Sequence, residues 1–200
     1  MLAFAATRWP GLMPPNFSAT YALVFCAGVY FPGSLAGWLP LVTLLATDVA
    51  LGLHHRALYL ENPTGYTHPV AILSPWLLVN YTLYGGLIWL GRRLTSRASF
   101  LTLLGGGVLG AILFYLVTNT FSWLSNPVYP KTLAGWLQAL SGGVPGYPPT
   151  WEFFRNTLTS GGLFTAFFVG AMKLSEATEE QEEESPAEES GDDQPEKTKA

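Results

Sequence analysis

Asp48 stands in "LVTLLATDVALGL", a carboxylate inside an otherwise apolar run. In lipid such a charge costs roughly 2.5–3.5 kcal/mol on insertion scales, so it faces protein or water and marks a site by default. Arg155, at the head of "RNTLTSGGLFTAFFVG", is its natural counter-charge if the two segment ends lie level. The bland alternative for Asp48 is a helix-end carboxylate reaching headgroups. A second constellation closes "FYLVTNTFSW", where Thr118, Asn119 and Trp123 end an apolar run that a plain anchor would finish with lysine or arginine. Asn16 and Phe17 in "PNFS", and Asn156 beside Arg155, add amides and a ring. Four separate segments thus place polar or aromatic groups at one level, as a binding site requires. The tryptophans point the same way: Trp9, Trp76, Trp123, Trp136 and Trp151 map to one side, Trp38 and Trp89 to the other. An interfacial belt populates both sides. The excess, joined by Phe17, Tyr129, Tyr147 and Phe154, points to an aromatic-lined outer pocket suited to stacking on a flat ligand.

Other chemistries find less support. "GGGVLG", Gly105 to Gly110, satisfies the dinucleotide fingerprint literally. It lacks the preceding strand and the following acid, and it sits in an apolar helix. Gly106 and Gly110 instead form a GxxxG that lets helix backbones approach closely. His54, His55 and His68 with Glu61 share one loop but lack metal-ligand spacing. Ser160 in "LTSGGLF" has no histidine on a neighbouring span to act as base. The strings "NFS" at Asn16 and "NYT" at Asn80 match the glycosylation pattern but have little weight, since Asn80 falls inside a span. No GxxxxGK[ST] is present, so ATP chemistry would belong to partners. The chain reads as no enzyme, with no cofactor, no metal and no nucleic acid.

The elements that must position these residues are apolar helices. Of 200 residues, 49% are hydrophobic and 12% charged, with a mean hydropathy of +0.27. That charge content is about half the usual soluble value of roughly 25%. Eleven of the 14 acidic residues follow Ser175, and eight of the 10 basic residues precede it, leaving the body at +5 and the final segment at −9. A spanning helix needs about 20 predominantly apolar residues. Leu35 to Leu53, Val70 to Leu90, Phe100 to Phe121 and Phe153 to Leu174 approach that length. Ser18 to Phe31 is shorter and closed by Pro32-Gly33, which folds it into a hairpin with its successor. Met1 to Thr7 is a stub of about 10 Å as helix. The natural protein therefore starts upstream, or this segment sits in the outer leaflet without crossing. The expected fold is an all-α integral membrane protein, a bundle of about six transmembrane helices with the first truncated. Its transmembrane domain covers residues 1–174.

Arg92, Arg93 and Arg97 crowd one short connection and place it in the cytoplasm, outweighing the scattered Arg8, Arg56, Lys131 and Arg155 outside. Both termini are then cytoplasmic. The outer connection from Ser122 to Glu152 is about 30 residues long, a length usually tied to function or disorder. Within it, "KTLAGWLQAL" has the spacing of a short interfacial helix. Residues 175–200, rich in like charge and poor in large apolar residues, are expected to form a disordered acidic cytoplasmic tail. The lone Cys26 allows no intramolecular disulfide, and "MLAFAATRWP" lacks the basic leader of a secretory signal.

"PPNFSATYALVFCAGVYF", "LPLVTLLATDVALG", "FYLVTNTFSW", "YPKTLAGW" and "FFRNTLTSGGLFTAFFVG" resemble, in order, an uncharacterised family of bacterial integral membrane proteins labelled as transport proteins. That family is similar to the substrate-binding S components of energy-coupling factor vitamin transporters. The resemblance implies six helices in the inner membrane and a small-molecule pocket at the outer face. It also implies a partner, a membrane coupling subunit driven by two ATPases. Carried to matching positions, the pocket would use Asn16, Phe17, Asp48, Thr118, Asn119, Trp123 and Arg155. Ala3, Ala6, Ala22 and Gly28 would face the coupling subunit. The rival expectations are a membrane enzyme acting on a lipid-linked substrate, with Asp48 and Arg155 catalytic, and a structural membrane subunit.

Overall fold

The computed structural model describes residues 2–62 and 76–188, all helix and connection. Seven helices follow in order: α1 Leu2–Thr7, α2 Thr20–Tyr30, α3 Leu35–Glu61, α4 Trp76–Arg92, α5 Phe100–Ser125, α6 Leu133–Leu140 and α7 Thr150–Glu188. The six expected segments and the short helix in the long connection are all present as helices. His68 and the expected start of the fourth segment, residues 70–75, lie outside the described residues, as does the tail beyond 188.

Local chemistry sets most boundaries. Ser99 caps α5 by accepting from the Thr102 amide at 3.2 Å, and Thr132 caps α6 the same way from Gly135. Such caps satisfy amides that the first helical turn leaves without partners. Asn126-Pro127 ends α5, because a residue before proline is pushed out of the helical region. The hairpin between α2 and α3 forms at Pro32-Gly33, where Gly33 takes a positive φ of 52°. Arg92 donates to the Gly33 carbonyl and ties the end of α4 to that turn.

Two boundaries extend beyond expectation. α3 continues past Leu53 to Glu61, since "HHRALYLE" contains no residue that stops a helix already propagating. α7 continues to Glu188, through the first part of the segment expected to be disordered. Glutamate and alanine are good helix formers, and extension costs far less than nucleation.

α2 lies at the centre, packed against α3, α4, α5 and α7, and α5 pairs along α7. Nine of its residues are buried, so its apolar character all round has a structural use. Gly28 of α2 and Gly91 of α4 bring the two backbones together. A Cβ on Gly28 would collide with the Ile88 carbonyl, and one on Gly91 with the Phe25 carbonyl. Gly106 faces the Phe25 ring, Gly107 faces Thr165 and Gly110 faces Leu87. The glycine run of α5 is thus a close-packing surface. Ala22 is fully buried, so it and Gly28 serve packing inside the bundle and are not free to face a second subunit. Ala6 is exposed; the side chain of Ala3 lies outside the described ones.

α3 and α5 are long and apolar enough to cross a membrane, with mean hydropathies of 1.6 and 2.2 along their most apolar stretches. Only 22% and 28% of those stretches are buried. A core helix of a soluble protein would hide most of such a surface. Here large apolar side chains point outward along several helices, including Leu78 at 77% exposure, Leu101 at 75% and Phe167 at 69%.

Candidate functional site

A cavity of about 600 Å³ opens at the end of the bundle where α1 finishes and α2 begins. The arginine-rich connection between α4 and α5 lies at the opposite end. The aromatic side chains lining the cavity are Trp9, Phe17, Tyr21, Tyr84 and Phe114. Tyr84 and Phe114 stack at 5.4 Å with 9° between their planes, and Tyr21 tilts against Phe114 at 4.9 Å. The polar groups include the amides of Asn16 and Asn80, the hydroxyls of Thr7, Ser18, Thr20 and Thr118, and the Arg8 guanidinium. A volume in this range, with rings and hydrogen-bonding groups sharing one wall, is compatible with a small-molecule site.

The connection from Arg8 to Ser18 forms one side of the cavity and is pinned at several points. The Thr7 hydroxyl donates to the Phe4 carbonyl at 2.8 Å and accepts from the Ala19 amide at 3.2 Å. Asn156 on α7 donates to the Pro15 carbonyl at 2.9 Å. Asn16 holds a positive φ of 61°, a conformation that asparagine tolerates better than most residues. Arg8 donates through Nη1 to the Leu44 carbonyl at 3.2 Å and to Thr47 Oγ1, and through Nη2 to Asp48 Oδ1. The Tyr81 hydroxyl donates to Asp48 Oδ2 at 2.8 Å. One ion pair therefore joins α1, α3 and α4 beside the cavity, with side-chain exposures of 15% for Arg8 and 13% for Asp48.

Asp48 and Arg155 do not meet, contrary to the sequence expectation. Arg155 is exposed and lies over the Trp151 ring at 5.3 Å. The counter-charge is Arg8, because α1 packs against α3 and delivers it to the middle of that helix. Of the expected site residues, Asn16, Phe17 and Thr118 line the cavity, and Asp48 stands behind Arg8. Asn119 lines a separate cavity of about 430 Å³ between the end of α5 and the start of α7. Trp123 turns aside and donates from Nε1 to the Pro130 carbonyl at 2.8 Å. Thr118 and Asn119, adjacent in sequence, thus point into different spaces, as successive helical positions must.

The aromatic excess is also divided. Trp9 lines the main cavity and tilts against His54 at 5.1 Å, while Tyr129 and Tyr147 line the smaller one. Phe154 packs on Tyr115. Ser160 is fully buried in α7 and donates to the Thr157 carbonyl. Residues absent from the sequence reading of the site are Arg8, Tyr21, Asn80, Tyr81 and Tyr84. The last three occupy one stretch, "NYTLY", whose polar spacing within an apolar run was an available signal.

A family model matches residues 1–183. The chain belongs to DUF6580, a family of unknown function. No curated protein and no solved structure matches it. The DUF6580 match takes in every residue of both cavities and ends within α7.

Proposed function

We propose that this protein sits in a membrane, with its cavity end outward, and captures a small flat molecule there for uptake. The observation that supports this best is the cavity itself: five aromatic side chains, two amides and an arginine held in place by an ion pair. The outward apolar surface supports a bilayer as surroundings, since a soluble protein rarely exposes a large contiguous patch of this kind. Tryptophans at both ends of the bundle support the same placement. Trp38 and Trp89 are more than half exposed near the arginine end, and Trp9 and Trp151 are nearly so at the other. The arginine connection would face the cytoplasm of a bacterial inner membrane, with α7 running out on that side.

The resemblance to S components adds a coupling subunit with two ATPases to this reading. With Ala22 and Gly28 used internally, that subunit would have to dock elsewhere, on exposed positions such as Ala6. A membrane enzyme draws less support, because the catalytic pair it would need, Asp48 with Arg155, is not formed. Uptake is testable without knowing the substrate. Cells producing the wild-type chain should deplete a discrete flat compound from defined medium, as followed by mass spectrometry. Cells producing Asn80→Leu, which removes an amide from the cavity wall, should deplete it at least tenfold more slowly. Equal depletion by both, or by neither, would count against the proposal.

A further inference from the structure

We propose that the cavity selects an uncharged, flat ring carrying a carbonyl-type acceptor, and that Asp48 sets this selectivity by cancelling the charge of Arg8. The inference rests on reading the cavity as a binding site and assigns the class of molecule that fits it. Arg8 is the one charged residue among the described residues that line the cavity; Asp48 does not line it. A guanidinium has five N–H donors. Leu44, Thr47 and Asp48 accept three hydrogen bonds from Arg8, so among the described residues two of its donors are left for an acceptor on a ligand.

Charge decides what kind of acceptor that is. The Arg8–Asp48 pair is neutral as a unit and largely removed from water. Among the described residues, Tyr21 on α2 and Tyr81 and Tyr84 on α4 stand against the pair, and all three are phenols and uncharged at neutral pH. An anionic ligand would therefore give up part of its water without meeting an uncompensated cation, and a charge without a partner is costly to desolvate. Ring faces alone attract cations, but Arg8 stands nearer the cavity than Asp48 and opposes one. A neutral ring avoids both costs. It can lie against the Tyr84–Phe114 stack, take the Arg8 donors on a carbonyl, and pair its own donor and acceptor edge with Asn16 and Asn80, whose amides offer both functions.

Three probes built on one ring and one carbonyl separate the possibilities: quinoline-2-carboxamide, quinoline-2-carboxylate and the cation 2-carbamoyl-1-methylquinolinium. Isothermal titration of the purified full chain in nanodiscs should show the carboxamide binding at least tenfold more tightly than either charged form. Asp48→Asn leaves the charge of Arg8 uncompensated, so the ratio of carboxylate to carboxamide affinity should rise at least tenfold. A merely structural role for Asp48 would weaken all three probes alike. Wild-type binding of the carboxylate or the cation at or above the carboxamide would overturn the proposal, and that ranking decides even if Asp48→Asn does not fold. An unchanged ratio in folded Asp48→Asn would overturn the role given to Asp48. Failure of all three probes to bind at millimolar concentration would overturn the binding-site reading and this inference with it.

Discussion

Arg8 and Asp48 are 15% and 13% exposed, so each charge depends on the other for most of what water would otherwise supply. Removing one partner of such a pair strands the other, at a cost of about 3–5 kcal/mol, while removing both is far milder. Arg8→Gln and Asp48→Asn should each lower thermal stability sharply in detergent, and the double variant should cost clearly less than their sum. Asp48→Asn with Arg155→Gln should instead be additive, since the two do not touch. Asn16 offers a separate test, because its backbone and side chain make different demands. Asn16→Gly keeps the positive φ at no steric cost, so stability should change by less than about 1 kcal/mol while ligand binding falls. Asn16→Val should destabilise, since a β-branched residue resists that conformation. That Asp48 would need a partner was legible, because a carboxylate in an apolar run is costly wherever it ends up. Its partner was not legible. Arg8 follows a helix of six residues, too short to register as a span, and only the packing of α1 on α3 brings it to Asp48.

The helices themselves were read from runs of apolar residues, a signal strongest in α3 and α5, the two described helices long and apolar enough to cross a membrane. Their contacts rest on finer features. At the α2–α4 crossing, Gly28 and Gly91 each meet backbone of the opposite helix where a Cβ would stand. Gly91→Ala should cost about 3 kcal/mol or more, beyond the usual range for overpacking, because backbone yields less readily than a side chain. Gly37 in α3 has open space at the same position. Gly37→Ala should be neutral or stabilising by about 0.5–1 kcal/mol, as expected for a glycine inside a helix. Melting temperatures of the two variants side by side check both. The GxxxG at Gly106 and Gly110 pointed to close packing correctly, yet nothing in the local pattern singled out Gly28 and Gly91. Those two lie 63 residues apart, and only their helix pairing matches them. The ends of α3 and α7 were misjudged for a related reason. An apolar run measures how much of a helix suits lipid, and the helix continues for as long as its residues allow.

The whole molecule has two unlike ends, one with the cavity and one with Arg92, Arg93 and Arg97. If a bilayer surrounds the bundle, dense positive charge keeps its end on the cytoplasmic side. A reporter fused after Arg97 should then read as cytoplasmic, and a cysteine introduced at Met13 in the cavity-side connection should be labelled from outside intact cells. An external reporter at Arg97 would invert the orientation and turn the cavity inward. That the polar groups would gather at one end was legible from the ends of the apolar runs. Their division between two cavities was not, because it depends on which way each helix is rotated. The central claim is that the larger cavity holds a small molecule. Native mass spectrometry of the gently solubilised wild-type protein tests it most directly. The account predicts a discrete non-covalent adduct of a small aromatic compound, carried by wild type and missing from Asn80→Leu at equal stability. A wild-type spectrum showing bare protein or phospholipid alone, or an adduct that Asn80→Leu keeps in full, would contradict it.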